Sequence, residues 1–328
     1  DQWHWEGLDT FGGIVRSYPF EKPLQLENSM EATATLTAEG LVGSYQFPGL
    51  KDIDHAMLVS PQGERSSVEL VDGKLKVSGA ELSNSEFDTS TTFKDGEAIR
   101  RLAFVNSLLS RNENQTVTFP SRYTLLVWSS PLDLGFMFPG DPNKMGSALT
   151  SIPLHVENTK PATRFVVPSI YQQYDVVRAT GIGASVVYDN VKGEWARTPH
   201  NSRHQFWIRT KVPASVLPAK ITKATVLMDI SAGGRPVNSV GGFFDDEGHL
   251  ITKILDTAQS PKAVIEFVFD DITYLNVNQN GYLHLGFSVG LDPIDGETRE
   301  EMRTRDTNYS WEIRDVDISL EGETLARP

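Results

Sequence analysis

Along this chain, apolar and polar residues alternate far more often than they recur at helical spacing. A period of two is the mark of a strand with one buried face. The pattern predicts strands at Met30–Thr37, Gly40–Phe47, Met57–Ser60, Ser67–Val71 and Lys74–Ser78. Asp72-Gly73 separates the last two, and that dipeptide between alternating segments is a hairpin signal. One helix stands out over 97–110, where Ala98, Leu102, Val105 and Leu109 share a face. Asp95 is its N-cap and Arg111-Asn112 its end. Strand returns at Arg122–Trp128 and Gly146–Val156, on either side of a proline-broken stretch from Pro131 to Lys144. Asn158-Thr-Lys-Pro161 has the composition of a linker. It sets a boundary between a first domain, 1–160, and a second, 163–328.

Beyond that boundary nearly every segment alternates: Phe206–Val212, Ala224–Ile230, Val264–Phe269 and Tyr282–Leu291. In the last of these, Leu283, Leu285, Phe287, Val289 and Leu291 share one face. Tyr282, His284, Gly286 and Ser288 share the other. The closing segment, Trp311–Leu320, alternates twice but out of phase. Trp311 and Ile313 set one parity; Val316, Ile318 and Leu320 set the opposite one. One extra residue between Ile313 and Val316, a β-bulge, keeps both runs on the core face. The expected fold is mainly β and two-domain. A β-rich N-terminal domain carries the one helix, and a C-terminal antiparallel β-sandwich is jelly-roll-like.

Composition narrows the partners. The length of 328 residues suits two domains. A net charge of −13 repels phosphate backbones, so nucleic acid is excluded as a partner and anionic membrane surfaces are disfavoured. The absence of cysteine excludes disulfides, thiolate metal sites and cysteine nucleophiles. The apolar runs are too short to span a bilayer. The chain opens at Asp1 without a methionine. That reads as a mature exported protein or, preferably, as a piece of a longer one with a membrane anchor upstream. Trp3 and Trp5 form an aromatic pair of the kind found beside a membrane interface or packed on a domain.

Candidate chemistry is sparse. Gly286-Phe-Ser-Val-Gly290 matches a nucleophile elbow by letter, but that chemistry needs a strained strand-to-helix turn. Here Ser288 falls inside an alternating strand and Pro293 blocks a following helix. His200 and His204 have metal-ligand spacing only on a helix, and Pro199 precedes a strand. Asp245-Asp246 and the loop containing Asp292 and Asp295 offer hard oxygen ligands. Calcium is the cofactor they would admit, against a default of solvated turns, since the regular spacing of a calcium loop is absent. Tyr171, Tyr174, Tyr188, Trp195, Trp207 and Tyr282 read as outward aromatics. Among these, Tyr188, Trp195, Trp207 and Tyr282 are the candidate platform for sugar rings, with interface or core packing as the alternative. No pair of the 43 acidic residues stands out as a glycosidase pair.

Two resemblances add expectations. The closing Trp311-Glu-Ile-Arg-Asp-Val-Asp-Ile-Ser-Leu320 and the strands before it resemble jelly-roll carbohydrate-binding-like modules. Gly7-Leu-Asp-Thr-Phe-Gly-Gly13, Leu125-Leu-Val-Trp-Ser-Ser-Pro-Leu-Asp133, Gly146-Ser-Ala-Leu-Thr-Ser-Ile-Pro-Leu154 and Val212-Pro-Ala-Ser-Val-Leu-Pro218 look like the exported C-terminal region of planctomycete-type bacterial envelope proteins. That likeness implies an extracytoplasmic place, periplasmic or at the cell surface, and implies no activity. The expected function is a non-catalytic binding or scaffolding module whose partner is a polysaccharide or an envelope protein. The alternatives are a polysaccharide-acting hydrolase or lyase and a calcium-stabilised structural module.

Overall fold

The computed structural model describes residues 29–53, 55–61, 64–81, 121–130, 148–177, 187–196, 199–200, 203–244, 250–290, 298, 300–301, 304 and 310–326. The expected helix at 97–110 lies outside them, as do Pro131–Lys144 and the acidic loops holding Asp245, Asp246, Asp292 and Asp295. The described chain is mainly β.

Its first half is a closed barrel of seven strands: β1 (Glu31–Thr37), β2 (Gly40–Gln46), β3 (His55–Val59), β4 (Arg65–Val71), β5 (Lys74–Glu81), β6 (Thr124–Ser129) and β7 (Ala148–Val156). The order around the barrel is β1-β2-β5-β4-β3-β6-β7. Parallel pairing of Ala32 with Leu154 and Ala34 with Val156 closes it. Closure leaves no free edge, which removes the main aggregation hazard of a sheet. Alternation decides what fills it: Ala32, Ala34 and Leu36 from β1 join Leu41, Leu58, Leu75, Leu125 and Ile152 in the core. Asp72 and Gly73 both have positive φ (49° and 75°) in the expected two-residue hairpin turn between β4 and β5. At Gly43 the two strands run so close that a Cβ would lie 1.8 Å from the Thr33 carbonyl oxygen.

The second half forms two facing antiparallel sheets. One runs β15-β14-β17-β12-β9, the other β16-β13-β18-β8. Their strands are β8 (Arg164–Val167), β9 (Tyr174–Val177), β12 (His204–Lys211), β13 (Ala219–Ser231), β14 (Pro236–Phe244), β15 (Leu250–Gln259), β16 (Val264–Phe269), β17 (Tyr282–Val289) and β18 (Glu312–Thr324). A two-stranded ribbon, β10 (Tyr188–Asp189) and β11 (Glu194–Trp195), pairs with neither sheet. Phe267 and Phe269 of one sheet meet the ring of Phe287 from the other at 5.6 and 5.7 Å. Edge-to-face packing of this kind suits aromatic quadrupoles.

The bulge predicted in the closing strand is present. Asp229 of β13 lies opposite Asp315, but the next residue, Ile230, lies opposite Ile313. Arg314 is the extra residue. Trp311, Ile313, Val316, Ile318 and Leu320 are all buried, so both runs face the core. A second slip, at Thr222 of β13, keeps Ile221 and Ala224 on the same face.

The stretch with linker composition is pinned at both ends. Thr159 donates its hydroxyl to the Leu36 carbonyl (3.1 Å) and its N–H to the Ser215 carbonyl (2.8 Å). Tyr123 beside the barrel stacks on Tyr171 of the sandwich side, ring centroids 4.0 Å apart. Burial raises the pKa of Tyr123, and burial pushes that of Tyr171 to about 12. Both phenols therefore stay neutral at the joint. Barrel and sheets share one contiguous core cluster.

Candidate functional site

A cleft of about 830 Å³ lies between β9, the β10–β11 ribbon and the bulged start of β18, with Glu64 contributed from the barrel side. Local sequence builds each wall. The ribbon turns through Asp189-Asn-Val-Lys-Gly193. The Asp189 carboxylate accepts from the N–H groups of Val191 and Lys192 (3.0 and 3.2 Å), and Gly193 takes φ +68°. An aspartate opening such a turn and a glycine closing it both fit turn chemistry. Asn190 then reaches back to β9, its carboxamide accepting from the Val176 N–H (2.8 Å) and donating to the Val176 carbonyl (2.9 Å). The side chain thus imitates a neighbouring strand at a sheet edge.

Tyr188 and Trp195 come together in this ribbon, as the candidate platform required, but their rings are not offered to solvent. Each is 8% exposed. Trp195 donates its indole N–H to the Tyr174 hydroxyl (3.1 Å) and meets Phe206 edge-on at 5.9 Å. The aromatic row Tyr188–Trp195–Phe206–Phe287 therefore runs from the cleft wall into the core. Burial raises the Tyr174 pKa well above that of a free phenol, and Tyr188 adds to the shift.

Polar groups dominate the rest of the lining: Gln172, Gln173, Asp175, Glu312, Arg314 and Asp315 among them. The bulge turns Arg314 and Asp315 outward together, which is how a bulge re-aims side chains. Arg314 bonds Glu312 (3.2 Å) and Asp229 (3.4 Å). Asp315 touches solvent, yet the atoms crowded about it desolvate the carboxyl and raise its pKa. The Val316 N–H opposes that shift and Asp229 adds to it. Gln172, 5% exposed, holds its Oε1 against the Thr210 hydroxyl (2.7 Å) while its Nε2 has no partner. Turning the amide over only exchanges the ends, so one amide end remains unpaired either way.

Trp207 and Tyr282 lie elsewhere, on the outer face of the five-stranded sheet. Trp207 lies across Gly242 and Gly286 and is 5% exposed. Tyr282 carries the Arg209 guanidinium over its ring at 4.9 Å, and Arg209 is paired with Asp175 (2.5 Å). Burial and the Arg209 charge lower the His284 pKa. On the same face, Asn238 donates to the Ser288 hydroxyl (3.1 Å) and accepts from Thr257 (2.8 Å). Ser288 is thus a buried member of a continuous strand with no elbow about it. The four candidate platform residues are split between two places.

His200 and His204 flank Trp311, with His200 at 4.9 Å from the indole and 6.3 Å from His204. Burial lowers the His200 pKa. Among the described residues no three histidine, aspartate or glutamate side chains converge as metal ligands. Asp271 caps the turn at Ile272–Tyr274 through the Thr273 N–H (3.0 Å), which holds its carboxyl below the usual range.

Sequence reasoning missed Gln172, Asn190 and Asp315 as site residues. The phase slip in β18 did mark where Asp315 would turn out; nothing in the pattern marked the other two. No helix among the described residues is long and apolar enough to cross a membrane. No protein-family model matches this chain, and no curated protein matches it.

Proposed function

We propose that this chain is a non-catalytic binding or scaffolding module of a bacterial envelope, working outside the cytoplasm, with a polysaccharide or a partner protein seated in the β9–β18 cleft. The observation that carries it is the lining of that cleft: a sizeable recess with amide, carboxylate and guanidinium groups around aromatic edges. Convergent polar groups over an apolar floor are what a recognition pocket needs. The sandwich is read as a jelly-roll-like module, in keeping with the five-plus-four arrangement of its sheets.

A hydrolase is the second reading. Asp315 favours it, since a carboxyl with a raised pKa suits a general acid. The two readings separate in one experiment. The full chain is titrated with soluble envelope polysaccharides and peptidoglycan fragments and with envelope proteins, and sugar release is followed in parallel. Saturable binding with no release, lost when Glu194 and Glu312 are changed to Lys, is expected. Release that disappears in Asp315→Asn would make the protein an enzyme.

A further inference from the structure

Strand pairing is a poor way to bind in the β9–β18 cleft. On β9, Asn190 occupies both backbone groups of Val176. On β18, Ile313 and Val316 are buried. Recognition there falls to side chains. Gln172 lines the cleft, is almost wholly buried, and leaves its Nε2 without a partner. An oxygen acceptor is what that amide lacks. A hydroxyl accepts from an amide and donates to a carboxylate, so a hydroxyl-rich ligand suits the lining. A peptide group would bring an N–H and a C=O that need partners of their own. Val191, at the ribbon tip and 96% exposed, adds an apolar contact at the rim.

The charges of the lining are unequal. Glu64, Asp175, Glu194, Glu312 and Asp315 stand against Lys192 and Arg314. Two of these carboxylates have their cations: Asp175 pairs with Arg209 and Glu312 with Arg314. Asp315 does not. It lies opposite Asp229 of β13, and Arg314 beside it reaches Asp229 instead (3.4 Å). Among the described residues no cation pairs with Asp315, and like charges opposite each other on paired strands repel. A cation brought by a ligand would relieve that repulsion.

We propose that the cleft takes a glycan with free amino groups, an unacetylated amino-sugar oligomer, with one sugar ammonium against Asp315 and the hydroxyls among the other polar side chains. The proposal rests on the binding-module reading and narrows its ligand from polysaccharide or protein to a cationic polysaccharide. A cleft of about 830 Å³ is of the size that holds a short oligomer. The ammonium supplies the selectivity. An N-acetylated sugar has the same hydroxyls but no charge to place against Asp315, and an acidic glycan is repelled by the walls.

The test titrates the full chain, by calorimetry, with glucosamine oligomers, with N-acetylglucosamine oligomers of the same length and with oligolysine. Saturable binding of the glucosamine oligomer is expected, with the N-acetylated oligomer weaker by about tenfold or more. Asp315→Asn keeps the shape of the side chain and removes its charge. It should weaken the glucosamine oligomer about tenfold and leave the N-acetylated oligomer unchanged. The neutral side chain is the form the fold favours, so a loss of binding in this variant is not a loss of folding. Glu194→Gln, on the ribbon wall, should weaken the same oligomer in the same direction. Equal affinity for the free and acetylated oligomers, or variants that bind as the parent does, overturns the proposal. Oligolysine bound as tightly as the glucosamine oligomer overturns it too, since charge without sugar would then suffice. Each of these outcomes leaves the binding-module reading in place. A chain that binds no glycan and no envelope protein removes both.

Discussion

Trp207 and Gly286 face each other across β12 and β17, and the indole occupies the space that a side chain at 286 would need. A Cβ there would lie 2.9 Å from the six-membered ring of Trp207 and 2.5 Å from the Val240 carbonyl oxygen. The carbonyl is backbone in the middle of a sheet and cannot yield easily. Gly286→Ala should therefore destabilise the fold by about 1–3 kcal/mol, the usual cost of overpacking. Urea denaturation followed by tryptophan emission measures it, and an unchanged midpoint would mean that the ring has room to move.

The bulge makes a sharper test, because residue count and residue identity can be separated. Arg314→Ala keeps the count and removes only partly exposed ion pairs, so a loss under about 1 kcal/mol is expected. Deleting Arg314 forces either Trp311 and Ile313 or the run from Val316 to Leu320 out of the core. The loss should reach several kcal/mol, as for any shift that moves a hydrophobic set to the solvent face. Equal effects of the two changes, by chemical denaturation, would contradict the register.

Asp315 makes stability depend on pH in a defined direction. Its raised pKa means that the folded state holds the proton more tightly than the unfolded chain does. The fold is favoured where both states are protonated and loses ground as pH rises through the folded pKa. Asp315→Asn, which mimics the neutral carboxyl, should raise the melting temperature at pH 7. The gain should vanish below the ordinary carboxylate range.

The histidines act at the other end of the scale. Burial lowers His284, with Arg209 adding to it, and burial lowers His200. The unfolded chain takes up these protons first. Stability is complete above the ordinary histidine pKa and falls as pH drops through about 6.5 toward the folded values. His284→Gln should flatten the dependence of the unfolding free energy between about pH 7 and pH 5. A slope unchanged by that substitution would place the titrating group elsewhere.

Much of the fold was legible where alternation was long. Tyr282–Val289 and Glu312–Thr324 bury the residues that their parity predicts, and the bulge follows from parity alone. The Asp72-Gly73 hairpin was legible for an equally local reason. Barrel closure was not: the parallel pairing of Ala32 with Leu154 joins residues far apart in sequence, and no local pattern encodes it. Tyr188 and Trp195 were read as outward because strands of two residues have no parity to follow. Their burial comes from docking the ribbon against Tyr174 and Phe206. The residues from 158 to 161 look like a linker by composition, yet Thr159 ties them to both halves.

The sequence by itself determined which face of each long strand is buried and where the closing strand must slip, because side-chain direction in a strand depends only on residue count. Only the tertiary structure decided that β9, the ribbon and the bulged start of β18 border one cleft. It also decided that Gln172, Asn190 and Asp315 meet there. Neighbourhood between sheet edges follows from pairings distant in sequence, and the alternation that defines each strand is blind to which strands lie beside it.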